Sequence, residues 1–290
     1  MITRPERHIP NKKNIWHGFF LLSRPLNVLI TFASVFVATL LCDISPDWVA
    51  VLLACTSAAM VAAAANAIND YFDLEIDSIN KPERPLPAGL VSQKQAIVMA
   101  VFCFVVGISL GALINVFALV IVVTFSVILY FYSAFFKGTV LLGNAIVSLS
   151  TAFAFIYGGV AVRHPERAII PAVFAFFMHF GREIIKDMED VHGDNQLHAN
   201  TLPVLYGMRP AQWLVSLLFV TLLILTLLPF LLNIYGLYYF VTVMLGVNSV
   251  LIAIIFMIWK NTSTKMLHRL SVLLKADMPI GLLAIYLGQW

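Results

Sequence analysis

Long apolar runs alternate with short polar segments along the whole chain. About nine runs reach the roughly 20 residues that a helix needs to cross a hydrocarbon layer of about 30 Å. They cover residues 16–42, 48–71, 94–113, 115–135, 139–162, 168–188, 210–232, 236–259 and 273–289. The runs lack a strict apolar–polar alternation, so they indicate helices rather than barrel strands. The pattern predicts an all-α membrane protein with about nine transmembrane helices, forming a single domain over residues 1–290.

The composition agrees with this pattern. Hydrophobic residues make up 61% of the chain and charged residues 11%, whereas soluble domains carry about a quarter charged residues. The net charge of +3 is modest and gives no signature of nucleic-acid binding. We therefore expect an integral membrane protein whose surroundings are the lipid bilayer.

Basic residues indicate the orientation, because they concentrate in cytoplasmic loops. One set of alternate loops and flanking segments holds Arg4, Arg7, Lys12, Lys13, Lys81, Arg84, Lys94, Lys137, Arg182, Lys186, Arg209, Lys260, Lys265, Arg269 and Lys275. The other set holds only Arg163 and Arg167. The distribution predicts a cytoplasmic N-terminus, with both acidic segments described next on the cytoplasmic side.

Acidic residues are concentrated in two short windows. Of the fifteen Asp and Glu residues in the chain, most lie between residues 70 and 83 or between residues 183 and 194. Ionisable groups near a membrane span are unfavourable, by roughly 2.5–3.5 kcal/mol at a helix centre, and usually mark a polar cavity or an ion site. The two windows therefore predict a functional site.

The spacing within each window predicts rows of oxygen ligands. Asn69, Asp73 and Asp77 recur every four residues, as do Asp190 and Asp194, and on a helix this spacing places side chains one turn apart. Clustered carboxylates need a cation among them, and Mg²⁺ prefers carboxylate oxygens together with substrate phosphates. The two rows predict a Mg²⁺ site that clamps one diphosphate.

The sequences around the two rows also echo each other. Each acidic segment is followed by a Leu-Pro pair, at 86–87 and 202–203, and then by Gly89 or Gly207 before the next apolar run. This similarity predicts a pseudo-repeat of two acidic helix-loop units near 66–89 and 182–207. A site at the interface of two such halves is typical of membrane proteins with internal repeats.

These motifs resemble the UbiA superfamily of intramembrane prenyltransferases over nearly the whole chain. The resemblance rests on Ser-Arg-Pro-Leu-Asn at 23–27, the two aspartate rows, Arg-Pro-Leu-Pro-Ala-Gly at 84–89, Tyr132-Ser with Lys137, and Leu-Lys with Met278 near the end. It implies nine helices around a central cavity that opens toward the cytoplasmic loops and toward lipid. The second row and the Asn-Thr-Leu-Pro segment at 200–203 look most like digeranylgeranylglyceryl-phosphate synthases.

This resemblance implies Mg²⁺-dependent transfer of a prenyl group, for which geranylgeranyl diphosphate is the expected donor, to a hydroxyl of geranylgeranylglyceryl phosphate in ether-lipid synthesis. Five residues are the expected Mg²⁺ ligands: Asn69, Asp73, Asp77, Asp190 and Asp194. Cations stabilise the charge of the leaving diphosphate, and the candidates are Arg84, Lys137, Arg182 and Lys186, with Arg24 a further one. Asp70 and Asp187, one step round the helix from the rows, are the candidate catalytic residues.

Two alternatives stay open at this point. An aromatic acceptor, such as 4-hydroxybenzoate, a naphthoate or a chlorophyllide-type pigment precursor, is compatible with much of the same pattern. A cation-coupled secondary transporter would also carry intramembrane carboxylates and repeats. The basic residues beside both acidic rows favour a diphosphate over a bare ion.

Overall fold

The computed structural model describes residues 15–137, 139–196 and 199–288. The basic residues Arg4, Arg7, Lys12 and Lys13, which carry part of the orientation argument, lie outside these ranges. In chain order the helices are α1 (Ile15–Leu22), α2 (Pro25–Cys42), α3 (Trp48–Phe72), α4 (Leu74–Asn80), α5 (Gln93–Ile114), α6 (Val116–Phe131), α7 (Leu142–Ala161), α8 (Ile169–Gln196), α9 (Leu202–Tyr206), α10 (Met208–Leu231), α11 (Leu237–Val243), α12 (Ser249–Lys260) and α13 (Thr264–Leu287). Short π-helical turns follow α6 at Tyr132–Phe136 and α11 at Met244–Asn248.

The all-α prediction is confirmed. Within the described ranges there is no strand, and nine helical segments are long and apolar enough to cross a membrane. They are Pro25–Cys42, Trp48–Phe72, Gln93–Ile114, Val116–Phe136, Leu142–Ala161, Pro165–Asn195, Met208–Leu231, Leu237–Lys260 and Thr264–Leu287. Most of these segments lie within a few residues of the predicted spans. In lipid, the backbone of an apolar run must form its hydrogen bonds within the run, and it therefore folds as a helix.

The first predicted span, 16–42, is wrong as a single helix. It consists of α1 and α2, which are separated at Ser23 and Arg24. Arg24 has a φ of 51°, in the left-handed region, and it precedes Pro25, whose ring disfavours a helical conformation of the residue before it. The break therefore has a local cause, which places Arg24 between two helices.

Two predicted boundaries are also wrong. The sixth span was expected at 168–188, but α8 continues to Gln196 and carries the second acidic row on its last turns. The last span was expected to begin at 273, but α13 begins at Thr264. Both added segments are amphipathic rather than apolar, so they lie outside the continuous apolar runs, although the spacing of Asp190 and Asp194 already indicates a helix.

Contacts divide the chain into two compact units, and the first contains α1, most of α2, and α3 to α6. Its interior is rich in small side chains, and α3 packs along α5. In this contact the buried hydroxyl of Ser57 donates to the carbonyl of Gly107 over 2.7 Å. Close helix packing through small residues is typical of membrane interiors. This packing against α5 stabilises α3, whose C-terminal end carries the first acidic row.

The second unit contains the end of α2, most of α7, and α8 to α13. Here α8 packs against α10 and α13. At Gly181 a side chain would collide with Phe219 of α10, since a Cβ atom would lie 2.2 Å from its Cε1. Glycine at this position therefore lets α10 approach α8 one residue before Arg182.

Candidate functional site

The first acidic row lies where α3 passes into α4. The amide of Asp73 donates to the carbonyl of Asn69 over 2.9 Å, and the amide of Asp77 donates to the carbonyl of Asp73 over 2.8 Å. These bonds span four residues each, as in an α-helix. The three side chains therefore follow one another at one-turn intervals, as their spacing predicts.

Two arginines accompany the carboxylates of this segment. Asp70, Asp73 and Asp77 are all buried. Arg24 is hydrogen-bonded to Asp70, and Arg84 is hydrogen-bonded to Asp77. Nη1 of Arg84 also lies 3.6 Å from Oδ1 of Asp70, so the two predicted diphosphate ligands are ion-paired with the acidic segment itself.

The position of Arg24 depends on the break between α1 and α2. The side chain of Asn66, on α3, donates to the carbonyl of Ser23 over 2.8 Å. This bond holds the segment between α1 and α2 against α3. Asn66 lies one turn before Asp70, the residue to which Arg24 is hydrogen-bonded. Sequence reasoning did not assign a role to Asn66, although it is the first residue of the predicted acidic helix-loop unit near 66–89.

The second acidic row lies on the last turns of α8. Because α8 continues to Gln196, both Asp190 and Asp194 are helical, and Gly193 does not end the helix. Asp190 is exposed. Oδ2 of Asp194 accepts a hydrogen bond of 3.3 Å from the hydroxyl of Thr201.

Asp187, one turn before this row, has a neutral partner. The side-chain amide of Asn144, on α7, donates to Oδ2 of Asp187 over 2.7 Å. Asn144 is buried, and its own carbonyl accepts a bond of 2.6 Å from Ser148. A neutral donor orients the carboxylate without cancelling its charge.

The two cations of α8 share one acid. Nη1 of Arg182 lies 2.9 Å from Oε1 of Glu183, and Nζ of Lys186 lies 3.0 Å from Oε2. Nε of Arg182 also donates to the carbonyl of Ser271 on α13 over 3.4 Å. Glu183 thus brings together Arg182 and Lys186, two of the predicted diphosphate ligands. A third predicted ligand, Lys137, is exposed and lies just after the π-helical turn that follows α6.

The two rows therefore differ in their partners. Carboxylates of the first segment are paired with arginines, and Asp187 and Asp194 of the second are bonded to a neutral amide and a hydroxyl. Sequence reasoning missed Asn144, Thr201 and the role of Glu183. Glu183 was visible in the acidic window, but Asn144 is 43 residues from its partner and carries no local signal.

Aromatic rings lie next to each row within its own unit. Phe72, directly before Asp73, meets Tyr130 edge to face with 5.9 Å between ring centroids. On α8, Phe176 contacts Phe177 and Phe180, ahead of Arg182. Such faces are attracted to positive charge and exclude water.

The donor set fits a hard divalent cation. In the described ranges, no three His, Cys, Asp or Glu side chains already form a metal-binding group. Mg²⁺ is usually held by one or two carboxylates with water and substrate phosphates, so a complete protein cage is not required. The buried, regularly spaced Asp73 and Asp77 supply oxygen ligands of the kind that it prefers.

The profile of the UbiA prenyltransferase family matches residues 27–273. This chain belongs to the UbiA prenyltransferase family. The match covers both acidic rows and confirms the resemblance read from the motifs. It makes the chain a membrane prenyltransferase and decides against the transporter alternative.

Individual relatives of this UbiA-family chain agree. A digeranylgeranylglyceryl phosphate synthase from Methanopyrus kandleri is 37% identical over 267 residues, covering 92% of this chain and 97% of the relative. A solved structure concerned with digeranylgeranylglyceryl phosphate synthase in membranes has a TM-score of 0.85 and 31% identity, covering 94% of this chain and 98% of that one. A UbiA homolog from Archaeoglobus fulgidus bound to DMAPP and Mg²⁺ is 20% identical with a TM-score of 0.71, covering 93% and 99%, and supports the fold.

Proposed function

We propose that the chain transfers a geranylgeranyl group from geranylgeranyl diphosphate to the free hydroxyl of geranylgeranylglyceryl phosphate, with Mg²⁺ as its metal ion. The observation that carries the proposal is the row of Asn69, Asp73 and Asp77 on consecutive helical turns, accompanied by Arg24 and Arg84. Carboxylates and guanidinium groups in one segment suit a metal-bound diphosphate. The choice of acceptor is supported by similarity to the synthase from Methanopyrus kandleri.

The metal ligands in this proposal are Asn69, Asp73, Asp77, Asp190 and Asp194. When bound, Mg²⁺ neutralises the charge that develops on the departing diphosphate. Arg84, Lys137, Arg182 and Lys186 bind the oxygens of the diphosphate, with Arg24 as a further contact. Asp70, with Asp187 a candidate catalytic residue, also positions cations, since it is paired with Arg24 and lies 3.6 Å from Arg84. Glu183 is a positioning residue, since it is paired with both Arg182 and Lys186.

The reaction breaks the C–O bond between the prenyl carbon and the diphosphate, which leaves with the electron pair. The hydroxyl oxygen of the acceptor then forms the ether bond to that carbon. Asp187 accepts the hydroxyl proton, and Asn144 keeps one of its oxygens oriented by the 2.7 Å bond. The aromatic rings of Phe72, Tyr130 and Phe180 exclude water from the positively charged prenyl group.

Both acidic rows lie on the cytoplasmic side in this proposal, because the basic residues of α4–α5, α8 and α12–α13 concentrate there under the positive-inside rule. The clamping of one diphosphate by both rows stays a prediction. So does the internal duplication, although Gly89 and Gly207 both have positive φ angles, 70° and 86°, before the next long helix.

An acceptor panel tests the proposal. Purified chain in liposomes is incubated with Mg²⁺ and radiolabelled geranylgeranyl diphosphate, together with geranylgeranylglyceryl phosphate, 4-hydroxybenzoate or a dihydroxynaphthoate. We expect labelled diether lipid with the first acceptor and little product with the others. A prenylated aromatic product alone would assign the chain to the aromatic-acceptor alternative, and no product with any acceptor would contradict prenyl transfer to this acceptor set.

A further inference from the structure

Basic residues are concentrated in the first turns of α13. Between Lys260 and Ala276 the chain contains four Lys or Arg residues and no Asp or Glu. The basic face of α13 consists of Lys265, His268, Arg269 and Lys275, all of which are exposed. Four cations beside the acidic segments, Arg24, Arg84, Arg182 and Lys186, are paired with carboxylates. Lys265, Arg269 and Lys275 have no carboxylate within ion-pair distance in the described ranges.

The basic face lies opposite to the packed face of the same helix. At 3.6 residues per turn, its four members fall within about a third of the helix circumference. The buried positions fall on the other side and include Leu267, Leu270, Ser271, Leu274 and Asp277. The cations therefore point away from the interior of the unit, toward lipid or water.

Two contacts with α8 indicate the depth at which this basic face lies in the membrane. Nδ1 of His268 lies 2.8 Å from Oε1 of Glu189, and the carbonyl of Ser271 accepts a bond from Arg182. With 28 residues, α8 is about 42 Å long and exceeds a hydrocarbon layer of about 30 Å. Its acidic turns therefore reach the headgroup region, and the basic face beside them lies at the same level.

The same side of α13 becomes apolar farther along the helix. Val272 lies among the cations, and Ile280, Leu283 and Tyr286 are exposed on the following turns. A phosphate headgroup beside Lys275 would thus be followed by apolar surface toward the membrane interior. This arrangement matches an amphiphile with one anionic headgroup and one hydrocarbon chain.

We propose that the basic face of α13 binds the phosphate of the acceptor lipid, an isoprenyl glycerol phosphate monoester. This inference rests on the proposed function. A monoester carries about −1.5 to −2 charges near neutral pH, as phosphorylated side chains do, and therefore gains more from three cations than a phosphodiester headgroup. The contact of His268 with Glu189, next to Asp190, connects this face to the second acidic row.

The test compares two acceptors that differ only in the phosphate. The variant Lys265→Gln/Arg269→Gln/Lys275→Gln is assayed with geranylgeranylglyceryl phosphate and with geranylgeranylglycerol, in liposomes of zwitterionic lipid. We expect the KM for the phosphorylated acceptor to rise at least about tenfold, with kcat, the KM of the donor and the KM of geranylgeranylglycerol unchanged. Lys94→Gln, at the exposed start of α5, is the matched control and leaves all of these values unchanged.

Binding without donor separates this inference from the proposed function. The Kd of geranylgeranylglyceryl phosphate for the wild-type chain is measured by equilibrium binding and is expected to rise about tenfold in the triple variant. An unchanged Kd, or equal changes for both acceptors, overturns the inference while leaving the proposed function intact. If the KM responds only when anionic phospholipid is added to the liposomes, the face binds membrane headgroups, and the inference is likewise overturned. Tight, variant-sensitive binding with no turnover contradicts the proposed function alone.

Discussion

Arg84 is hydrogen-bonded through Nη1 to Oδ2 of Asp77, seven residues earlier, and the same nitrogen lies 3.6 Å from Oδ1 of Asp70. One guanidinium therefore neutralises part of a buried acidic segment. When a metal-bound diphosphate occupies that segment, we expect the carboxylates to bind the metal and the guanidinium to bind phosphate oxygens. The same N–H groups of Arg84 would then bind carboxylates in the free protein and phosphate oxygens in the complex.

Replacing Arg84 with glutamine is expected to lower kcat/KM for the prenyl diphosphate by roughly tenfold to a hundredfold. Hydrogen bonds to charged groups contribute about 1.5–3 kcal/mol, and about 1.4 kcal/mol corresponds to a factor of ten. Steady-state kinetics with varied donor measures this loss. The control is Lys81→Gln, an exposed cation nearby, and equal losses in both variants would mean that only overall charge matters.

Arg24 and Asp70 are expected to act as one unit. Arg24→Gln and Asp70→Asn should each lower activity and thermal stability, because either change removes the charged hydrogen bond between the half-buried guanidinium and the buried carboxylate. The double variant should be no worse than the worse single one, with a coupling energy of about 0.5–3 kcal/mol. As a comparison, Arg24→Gln and Asp47→Asn, at the start of α3, should be additive. Additive effects for Arg24 and Asp70 would show that their contact has no energetic role.

Asn144→Ala is expected to lower kcat about tenfold, because Asp187 loses the neutral donor that orients it. Asn144→Asp should be worse, since a second carboxylate would face Asp187. Asn115→Ala provides the control: it removes a helix cap and a 3.1 Å bond to the carbonyl of Val160, so it should lower stability by about 1 kcal/mol without lowering kcat. If Asn144→Ala behaved like Asn115→Ala, the bond to Asp187 would be structural only.

Replacement of Asp277 is expected to stabilise the protein, in contrast to the substitutions above. It is the residue in the described ranges whose buried side-chain oxygens have no hydrogen-bond partner. A buried polar group without a partner destabilises the fold by about 1–3 kcal/mol. Asp277→Val should therefore raise the temperature of thermal unfolding in detergent, and Asp47→Ala, which removes the cap of α3, should lower it. A lower unfolding temperature for Asp277→Val would reveal an unrecognised partner of this carboxyl group.

Most of the helices could be predicted from local sequence, but some of their boundaries could not. The helix Gln93–Ile114 is apolar after its first three residues, and its limits were predicted within one residue. The first turns of α13 were missed because Lys265 and Arg269 interrupt the apolar run, although one side of the helix is buried. The break before Pro25 was missed because the short helix α1 and the spanning helix α2 are both apolar and together look like one long run.

The site divides in the same way. The rows of Asp73 and Asp190 were visible because four-residue spacing is a local property of a helix. The partners of those segments depend on tertiary packing: Asn144 reaches Asp187 across 43 residues, and Arg24 reaches Asp70 across 46. No pattern within a single helix predicts such pairs.

Both acidic rows are expected to support metal-dependent release of diphosphate from a prenyl donor. The most direct test is a Mg²⁺ titration of product formation from labelled geranylgeranyl diphosphate and geranylgeranylglyceryl phosphate by the wild-type chain, Asp73→Asn and Asp190→Asn. Glu75→Gln, an exposed acid beside the first row, is the matched control. We predict no product in the presence of a chelator, a loss of at least about a hundredfold in each row variant, and wild-type behaviour of Glu75→Gln. Undiminished product without divalent metal, or from both row variants at low Mg²⁺, would show that the two rows do not bind a metal ion needed for prenyl transfer.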